Sequence, residues 1–318
     1  MKRILIVFIT LALFAGALSG CTLNGGSGAK YKVLCTVFPE YEWVREIASG
    51  DEDVEVKLLG EGADMHNYQP GITDTAAIKK CDMFVYVGGA SDNWVSDCLE
   101  NKINKNMKVV RLFDALSSRL TEEDEMGEEH EDHDHDEAEY DEHVWLSLKN
   151  AVIAADAVRK SLCEMNPEKS DLYNANYEAY KQKLEQLDAQ YAEAVEKATV
   201  RTLVFADRFP FRYMTDDYNI AYYAAFPGCA SQGEISPRKM LELAAKIDEF
   251  SLKSVIILEG SSEDAARSII DKTQAKNQSV VRLDSMQSVT NDDIRNGKTY
   301  VGTMQNNLNA LKTALEVV

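Results

Sequence analysis

The residues with the clearest chemical potential lie between Thr121 and His143, in the stretch TEEDEMGEEHEDHDHDEAEYDEH. This stretch contains fourteen Asp or Glu residues and four His residues, but no Lys or Arg. Carboxylate and imidazole groups together are the ligands that zinc and similar divalent cations prefer. The like charges repel one another and offer almost no apolar surface, so the stretch predicts a solvated loop rather than packed core.

Two interpretations of this acidic loop, residues 121–142, are open from its composition. Acidic low-complexity segments are usually disordered tails, whereas the interspersed His130, His133 and His135 indicate weak accessory metal sites. The loop ends in His143, next to the apolar residues VWLSL. We therefore expect His143 to belong to the folded protein and treat it as a separate candidate ligand.

The start of the chain predicts export from the cytoplasm. The basic residues of MKR precede an apolar run that ends near Ala17, which is too short and wrongly flanked for a stable membrane span. The run leads into LSGC, which resembles a bacterial lipobox and implies a signal peptide over residues 1–20 and lipidation of Cys21. A plain secretory signal with an incidental cysteine is the alternative. A Gly- and Ser-rich tether over residues 21–29 then precedes the fold.

Length, charge and cysteine spacing narrow the class of protein. Roughly 290 residues remain after the signal, which favours two lobes. The formal net charge of −19 falls to −5 without the fourteen acids of the loop, and no basic patch indicates nucleic acid. The sequence contains no CxxC pair, so a zinc cluster bound by thiolates is not expected. No disulfide can be assigned from the sequence. The remaining cysteines are Cys35, Cys81, Cys98, Cys163 and Cys229, of which the first two adjoin strand-like runs and suit a core.

Short, nearly continuous apolar runs alternate with helical patterns along the rest of the chain. Such runs are typical of parallel strands that are covered on both faces. Four runs precede the middle of the chain and four follow it, so we predict an α/β fold with two lobes, residues 30–165 and 200–318. The predicted strands are Val33–Phe38, Val54–Leu59, Met83–Val87, Val109–Leu112, Thr202–Ala206, Ala221–Phe226, Ser254–Leu258 and Val280–Leu283; helical patterns include Ser236–Phe250 and Glu263–Asn277.

One long helix, residues 166–199, is predicted between the lobes. Asn166 is a suitable N-cap, and Pro167 suits the first helical position. Apolar and tyrosine side chains then recur at three- and four-residue spacing, and no Gly or Pro interrupts them before Pro210. A helix of about thirty residues is about 45 Å long, which is enough to span two lobes and to limit hinge motion between them.

Polar side chains follow several predicted strands, at the edge where two α/β lobes place their ligands. His66 comes shortly after the second strand, and Asp207, Glu259 and Asp284 directly follow later strands. The structural alternatives are a surface role for a lone His and helix N-caps for the carboxylates. The sharper hypothesis is a cation site in the cleft between the lobes.

Taken together, these features resemble one known family, the solute-binding lipoproteins of bacterial ABC importers for zinc or manganese (cluster A-I, zinc-uptake type). The resemblance covers nearly the whole mature chain. It implies two Rossmann-like lobes of four parallel strands each, joined by a spine helix, with a metal in the cleft and no enzymatic activity. It is carried by the lipobox, HNYQP at His66, VGGASDNW, the acidic loop, DEHVWLS around His143, NPEKSDLYNANYEAYKQKL and ISPRKM.

The same resemblance implies ligands. His66 and His143 match the first two ligands of the family, and Asp284 matches the last. Two imidazoles with carboxylates suit zinc or manganese, and zinc outcompetes manganese at most nitrogen and oxygen sites. The His-rich loop also accompanies zinc uptake within the family. We therefore expect Zn²⁺, with Mn²⁺ or Fe²⁺ as the alternative.

The third ligand position departs from the family, which has His or Glu there. This chain reads FADRFPFRY, which puts Arg208 at that position. An arginine side chain offers no lone pair to a metal. The adjacent Asp207 is therefore the candidate, with Glu234 or Glu259 as less certain substitutes and water as a further possibility.

The resemblance implies that the protein captures a divalent cation and delivers it to an ABC permease and its ATPase. It is expected to be a monomer outside the cytoplasm, held at the membrane by its lipid anchor. A manganese- or iron-specific transport role and a zinc-dependent surface adhesin are the alternatives. A metallohydrolase is not expected, because neither HExxH nor GxSxG occurs in the sequence.

Overall fold

The computed structural model describes residues 28–60, 62–122, 140–228 and 233–317, and within them the chain forms two parallel sheets. The strands of the first sheet are β1 (Tyr31–Cys35), β2 (Val54–Leu58), β3 (Met83–Tyr86) and β4 (Lys108–Arg111); those of the second are β5 (Thr202–Phe209), β6 (Ala221–Pro227), β7 (Ser254–Leu258) and β8 (Ser279–Leu283). All pairings are parallel, in the orders β2-β1-β3-β4 and β6-β5-β7-β8. The predicted fold class, two four-stranded α/β lobes, is confirmed.

Helices connect the strands and cover the sheets. They are α1 (Phe38–Ile47), α2 (Ile72–Ile78), α3 (Val95–Glu100), α4 (Leu112–Ala115), α5 (Leu148–Met165), α6 (Ser170–Glu196), α7 (Arg212–Tyr218), α8 (Pro237–Glu249), α9 (Asp264–Ile270), α10 (Asn291–Arg295) and α11 (Tyr300–Ala314). Short 3₁₀ turns occur at Met65–Asn67, Ala90–Asp92, Val144–Leu146 and Pro167–Lys169. None of these described helices combines the length and the hydropathy of a membrane span.

The spine helix is α6, whose 27 residues extend over about 40 Å. One face of it is buried, through side chains three and four residues apart, as the sequence predicts. The buried residues are Tyr173, Tyr177, Tyr180, Leu184, Leu187, Tyr191, Ala194 and Val195. Asn166 occupies the N-cap position of the 3₁₀ turn that leads into α6, as predicted, but its side chain makes no cap hydrogen bond and donates instead to Asp51 Oδ2 at 3.1 Å.

Several element boundaries differ from the prediction, among them the ends of β5 and α9. Strand β5 continues to Phe209, so Asp207 and Arg208 lie within the strand rather than after it. Helix α9 ends at Ile270 and does not reach Asn277. It stops because Thr273 Oγ1 donates to the Ile270 carbonyl and the following residues turn away, with Lys276 at a φ of 51°.

One continuous apolar core includes residues of both sheets and of α6, so the lobes are not packed separately. Direct hydrogen bonds also cross between them. Trp145 Nε1 donates to the Ser285 carbonyl at 2.8 Å, and Tyr300 Oη donates to the Trp145 carbonyl at 2.6 Å. The Arg119 guanidinium contacts the Asp217 carboxylate at 2.8 Å. These contacts fix the relative position of the lobes around the segment that follows His143.

The cysteines of the described residues contribute to packing. Cys35, Cys81 and Cys98 are buried, Cys163 is partly buried, and all four are free thiols. The expected core role of Cys35 and Cys81 is confirmed. Cys229 lies outside the described residues.

A buried carboxyl group lies at the start of α1. Glu40 is fully buried, and its Oε2 accepts hydrogen bonds from Thr36 N at 2.9 Å, Thr36 Oγ1 at 3.2 Å and Val37 N at 3.2 Å. Burial, together with the nearby Asp92, raises the pKa of Glu40 to about 8. The carboxyl group is therefore protonated in the folded protein at neutral pH, whereas it ionises in the unfolded chain.

Replacement of Glu40 by Gln is expected to flatten the dependence of stability on pH. The free energy of unfolding of the wild type should fall as the pH rises from about 4.5 to about 8, because the unfolded chain releases this proton there and the folded protein retains it. Glu40→Gln has no such proton. The unfolding free energy of the variant minus that of the wild type should therefore be larger at pH 8.5 than at pH 5. Urea unfolding at both pH values measures this difference.

The exposed Glu52→Gln is the control and should keep the wild-type pH profile. A wild-type slope in Glu40→Gln over the same range would show that Glu40 does not carry a buried proton.

Candidate metal centre

His66 is positioned by the 3₁₀ turn Met65–Asn67, which follows β2. Asp64 caps this turn, because its Oδ1 accepts a hydrogen bond from the His66 backbone N at 3.1 Å. The carboxyl ends of parallel strands meet at one edge of a sheet, so the turn holds the imidazole at the carboxyl edge of the first sheet. The side chain of His66 is 9% exposed.

His143 directly precedes the 3₁₀ turn Val144–Leu146 and is fully buried. Its ring centroid lies 5.4 Å from that of Trp145. Gly228, just after β6, also packs against the ring, since a Cβ added there would lie 3.2 Å from His143 Cε1 and 2.8 Å from the Phe209 carbonyl oxygen. The imidazole is therefore enclosed by both lobes.

The two imidazoles, both of which belong to the first lobe, face each other. His66 Nε2 lies 3.1 Å from His143 Nε2, and the ring centroids are 5.1 Å apart. Two nitrogens bound to one tetrahedral zinc ion, each at about 2.0–2.1 Å, lie about 3.3 Å apart. The separation of the two Nε2 atoms therefore fits a shared cation.

Carboxylates hold the other nitrogen of each ring. His66 Nδ1 lies 2.9 Å from Ser91 Oγ and 3.2 Å from Glu142 Oε2. His143 Nδ1 lies 2.9 Å from Asp141 Oδ1. An ionised carboxylate only accepts hydrogen bonds, so each Nδ1 carries the hydrogen and each Nε2 presents its lone pair to the other ring. Lone pairs this close repel each other unless a cation or a proton lies between them, and such carboxylate–imidazole pairs are typical of metal-binding histidines.

The Glu142 carboxylate is an integral part of this arrangement. It accepts hydrogen bonds from Ser91 N at 2.6 Å and from Ser91 Oγ at 2.5 Å. Burial by itself raises the pKa of Glu142, but the hydrogen bonds from His66 and Ser91 outweigh it and hold the pKa below its ordinary value. Gly89 allows the Glu142 carboxylate to lie close to the backbone, because a Cβ at position 89 would collide with it. Glu142 is therefore ionised at neutral pH and keeps the hydrogen on His66 Nδ1.

Two of the carboxylates expected from the second lobe are engaged in other hydrogen bonds. Asp207 Oδ1 accepts from Arg208 N at 2.9 Å, and its Oδ2 accepts from Leu258 N at 3.1 Å. Glu259 accepts from Ser285 N at 2.8 Å and from Ser285 Oγ at 2.5 Å. Both carboxylates thus brace the second sheet and the loop after β8.

Asp284 and Glu234 complete the set of predicted ligands. Asp284 Oδ2 accepts from Lys298 Nζ at 2.5 Å, and its Oδ1 accepts from Met286 N at 2.9 Å. Glu234 is exposed. Among the described residues, no three His, Cys, Asp or Glu side chains are grouped closely enough to hold a metal ion. The structure brings His66 and His143 together, and all of the predicted ligands, these two included, stay predictions.

Arg208 stands where the sequence places the third ligand. A β-bulge in β5, between Phe205 and Arg208, shifts the register of pairing with β6. The Arg208 side chain is buried, with Nη1 3.0 Å from Asp64 Oδ2 and Nη2 donating to Gln287 Oε1 at 3.4 Å. The guanidinium therefore connects the second lobe with the residue that caps the His66 turn.

Other predicted sites lie outside the described residues, namely the lipidation site Cys21 and the loop residues His130, His133 and His135. The two ends of the acidic loop meet in an antiparallel bridge between Glu122 and Tyr140. The folded protein therefore brings the start and the end of this loop together.

Three residues that orient the imidazoles do not stand out in the sequence, namely Ser91, Asp141 and Glu142. Both acids belong by composition to the acidic loop, so their role is hidden by the twelve acids that precede them. The sequence feature that indicates the role of these two acids is their position directly before His143. Ser91 lies in VGGASDNW, a stretch that pointed to the family but not to a role.

The chain matches known proteins over most of its length. The profile of the ZnuA family, described as zinc-uptake complex component A, periplasmic, matches residues 33–314. The zinc-binding lipoprotein AdcA of Streptococcus pneumoniae strain R6 is 29% identical over 317 residues, which cover 98% of this chain and 61% of AdcA. This chain therefore spans about three-fifths of the length of that relative. The high-affinity zinc uptake system protein ZnuA of Bacillus subtilis is 26% identical over 316 residues, which cover 98% of this chain and 97% of that protein.

A solved structure shows the same fold. The Zn(II)-bound ZnuA-like domain of Streptococcus pneumoniae AdcA superposes with a TM-score of 0.71 at 27% sequence identity. The match covers 91% of this chain and 100% of that domain.

Substitution of Gly228 by Ala is expected to disturb the site from the second lobe. The new Cβ would meet the Phe209 carbonyl oxygen at 2.8 Å and the His143 ring at 3.2 Å, and the backbone oxygen has little freedom to yield. We expect Gly228→Ala to be about 1–3 kcal/mol less stable, with weaker Zn²⁺ binding. Thermal unfolding and zinc titration measure the two effects.

Gly71→Ala is the control, because a Cβ at Gly71 meets nothing closer than 3.9 Å. Equal stability and equal zinc affinity of the two variants would show that Gly228 does not support His143.

Proposed function

We propose, since this chain belongs to the ZnuA family of periplasmic zinc-uptake components, that it captures zinc outside the cytoplasm and delivers it to a membrane permease. The observation that carries this proposal is the pair of Nε2 atoms of His66 and His143, 3.1 Å apart, with each Nδ1 held by a carboxylate. The family is a transport component rather than an enzyme, and we assign no catalytic residue.

Capture begins when the two imidazoles replace water on the incoming cation. Asp141 and Glu142 hold the Nδ1 side of each ring, so both Nε2 atoms are directed towards the incoming cation. The cleft needs only a small adjustment to accept the ion, since the two nitrogens are already close to the separation that a zinc site requires.

The remaining ligands come, in this proposal, from the second lobe or from water. Asp284 is the carboxylate most easily released, because its Oδ2 is held by the flexible side chain of Lys298, which can move aside. Asp207 is held by two main-chain N–H groups and would have to give up both. Glu259, bonded twice to Ser285, and the exposed Glu234 are weaker candidates.

Zinc is the cation that the site suits best. Two imidazoles with one or two carboxylates fit its preferred ligand types and its tetrahedral geometry, and zinc binds such sites more tightly than manganese. Relatives in two bacterial species carry names that state zinc binding or zinc uptake. Specificity for Mn²⁺ or Fe²⁺ is the second possibility, which a competition titration decides.

The expected partners are an ABC permease and its ATPase in the membrane. The lipobox at Cys21 supports attachment of the mature protein to the membrane through lipid, and a relative of similar sequence is named a lipoprotein. We infer a monomeric carrier that acts outside the cytoplasm. The acidic loop with His130, His133 and His135 would concentrate zinc weakly beside the cleft.

Loss of the two imidazoles is expected to abolish tight zinc binding. The double variant His66→Ala, His143→Ala removes both Nε2 donors, so zinc affinity should fall by at least about a hundredfold. Competition with a chromophoric zinc chelator measures the affinity. The control replaces His130, His133 and His135 together by Ala and should keep the tight site. Tight zinc binding by the His66/His143 double variant would show that these two residues are not the primary ligands.

Removal of the acidic loop is expected to leave the tight site intact. Residues 123–139 can be replaced by two glycines, because Glu122 and Tyr140 already pair with each other. His143 stays in place, since Tyr213 Oη donates to the Asp141 carbonyl at 2.8 Å. Isothermal titration with zinc should show the weak additional sites lost and one tight site retained. Loss of the tight site would mean that the loop supplies a primary ligand.

A further inference from the structure

The His66 turn is tied to the second lobe through the carboxylate of Asp64. Asp64 Oδ1 accepts from the His66 backbone N at 3.1 Å, while Asp64 Oδ2 lies 3.0 Å from Arg208 Nη1. The two oxygens of Asp64 therefore link the ligand-bearing turn of one lobe to strand β5 of the other. A second link is the hydrogen bond from Gly62 N to the Val289 carbonyl at 3.1 Å.

The position of Arg208 depends on the partners that hold its charge. The residue is only 8% exposed, and its Nε has no hydrogen-bond partner among the described residues. The contact of Nη2 with Gln287 Oε1 is long, at 3.4 Å. A buried guanidinium is costly unless it is paired, so the ion pair with Asp64 is its main compensation. This pairing is therefore strongly favoured in the folded protein.

His143 does not depend on Arg208 in the same way. Its segment is held by Tyr213 Oη, which donates to the Asp141 carbonyl at 2.8 Å, and by Trp145 Nε1, which donates to the Ser285 carbonyl at 2.8 Å. Of the two imidazoles, His143 is thus fixed by several interlobe contacts. The backbone of the His66 turn reaches the second lobe through the Asp64–Arg208 pair.

We propose that Arg208 is a positioning residue for metal capture: through Asp64 it clamps the His66 turn against the second lobe and keeps His66 Nε2 within reach of His143 Nε2. This inference rests on the proposed function. Arg208 binds no metal itself. It takes the place of a ligand from the second lobe and joins that lobe to the imidazole pair by an ion pair instead.

A purely electrostatic role and a positioning role of Arg208 predict opposite changes in zinc affinity when Arg208 is replaced. If the guanidinium acted only as a positive charge near the cleft, its removal would strengthen the binding of a cation. If it positions His66, its removal frees the turn and weakens zinc binding, although a repulsive charge is lost. The direction of the change therefore separates the two roles.

The experiment measures zinc affinity by chelator competition for the wild type, Arg208→Met, Arg208→Lys, Asp64→Asn and the double variant Arg208→Met, Asp64→Asn. Arg208→Met should bind zinc about ten- to a hundredfold more weakly, as for other residues that orient metal ligands. Arg208→Lys keeps the charge that pairs with Asp64 and should bind zinc more tightly than Arg208→Met. The double variant should be no weaker than the weaker single variant, because both changes break one clamp.

Arg282→Met is the matched control, since Arg282 donates to the Leu258 and Ser261 carbonyls within the second lobe. It should keep wild-type affinity. Thermal unfolding without zinc identifies any variant that fails to fold, and Arg208→Lys with Asp64→Asn then carries the test.

Unchanged or tighter zinc binding by Arg208→Met, or strictly additive losses in the double variant, would overturn the clamp while leaving the proposed function intact. Failure of the wild type to bind zinc, or tight binding without His66 and His143, would overturn the proposed function and the clamp with it.

Discussion

The hydrogen bonds that Glu142 and Asp141 accept from the Nδ1 atoms of His66 and His143 are the interactions on which the site depends. They settle which nitrogen of each ring carries hydrogen, and so they aim two lone pairs at one point in the cleft. At 3.1 Å the two Nε2 atoms repel each other unless a cation or a proton lies between them. Both acids directly precede His143 in the chain, so one short segment supplies a proposed ligand and the orientation of both rings.

The fold maintains these hydrogen bonds by keeping the two lobes in place. A single core passes from one sheet through the spine helix to the other, and Trp145 and Tyr300 add hydrogen bonds across the same interface. Large closure of the lobes would break these bonds. Capture is therefore expected to involve local movements, such as release of Asp284 by Lys298, rather than a wide hinge motion.

Much of the fold follows from the sequence, because continuous apolar runs and the three- and four-residue spacing of the spine depend on local pattern. The proximity of His66 and His143 could also be predicted, from the scarcity of histidine and the motifs around them. The bulge in β5, the main-chain bonds of Asp207 and the pairing of Arg208 with Asp64 could not, since they depend on strand register and on residues 144 positions apart. The role of Glu142 could not be recognised because the loop directly before it consists largely of acidic residues.

The most direct test of this account is X-ray absorption spectroscopy of the full chain loaded with one equivalent of zinc. The chain contains five histidines, of which three lie in the acidic loop. The account predicts two imidazole nitrogens at about 2.0–2.1 Å, with oxygen atoms completing the zinc shell. Three or more imidazoles around the tightly bound zinc would contradict it, because the third could come only from the loop.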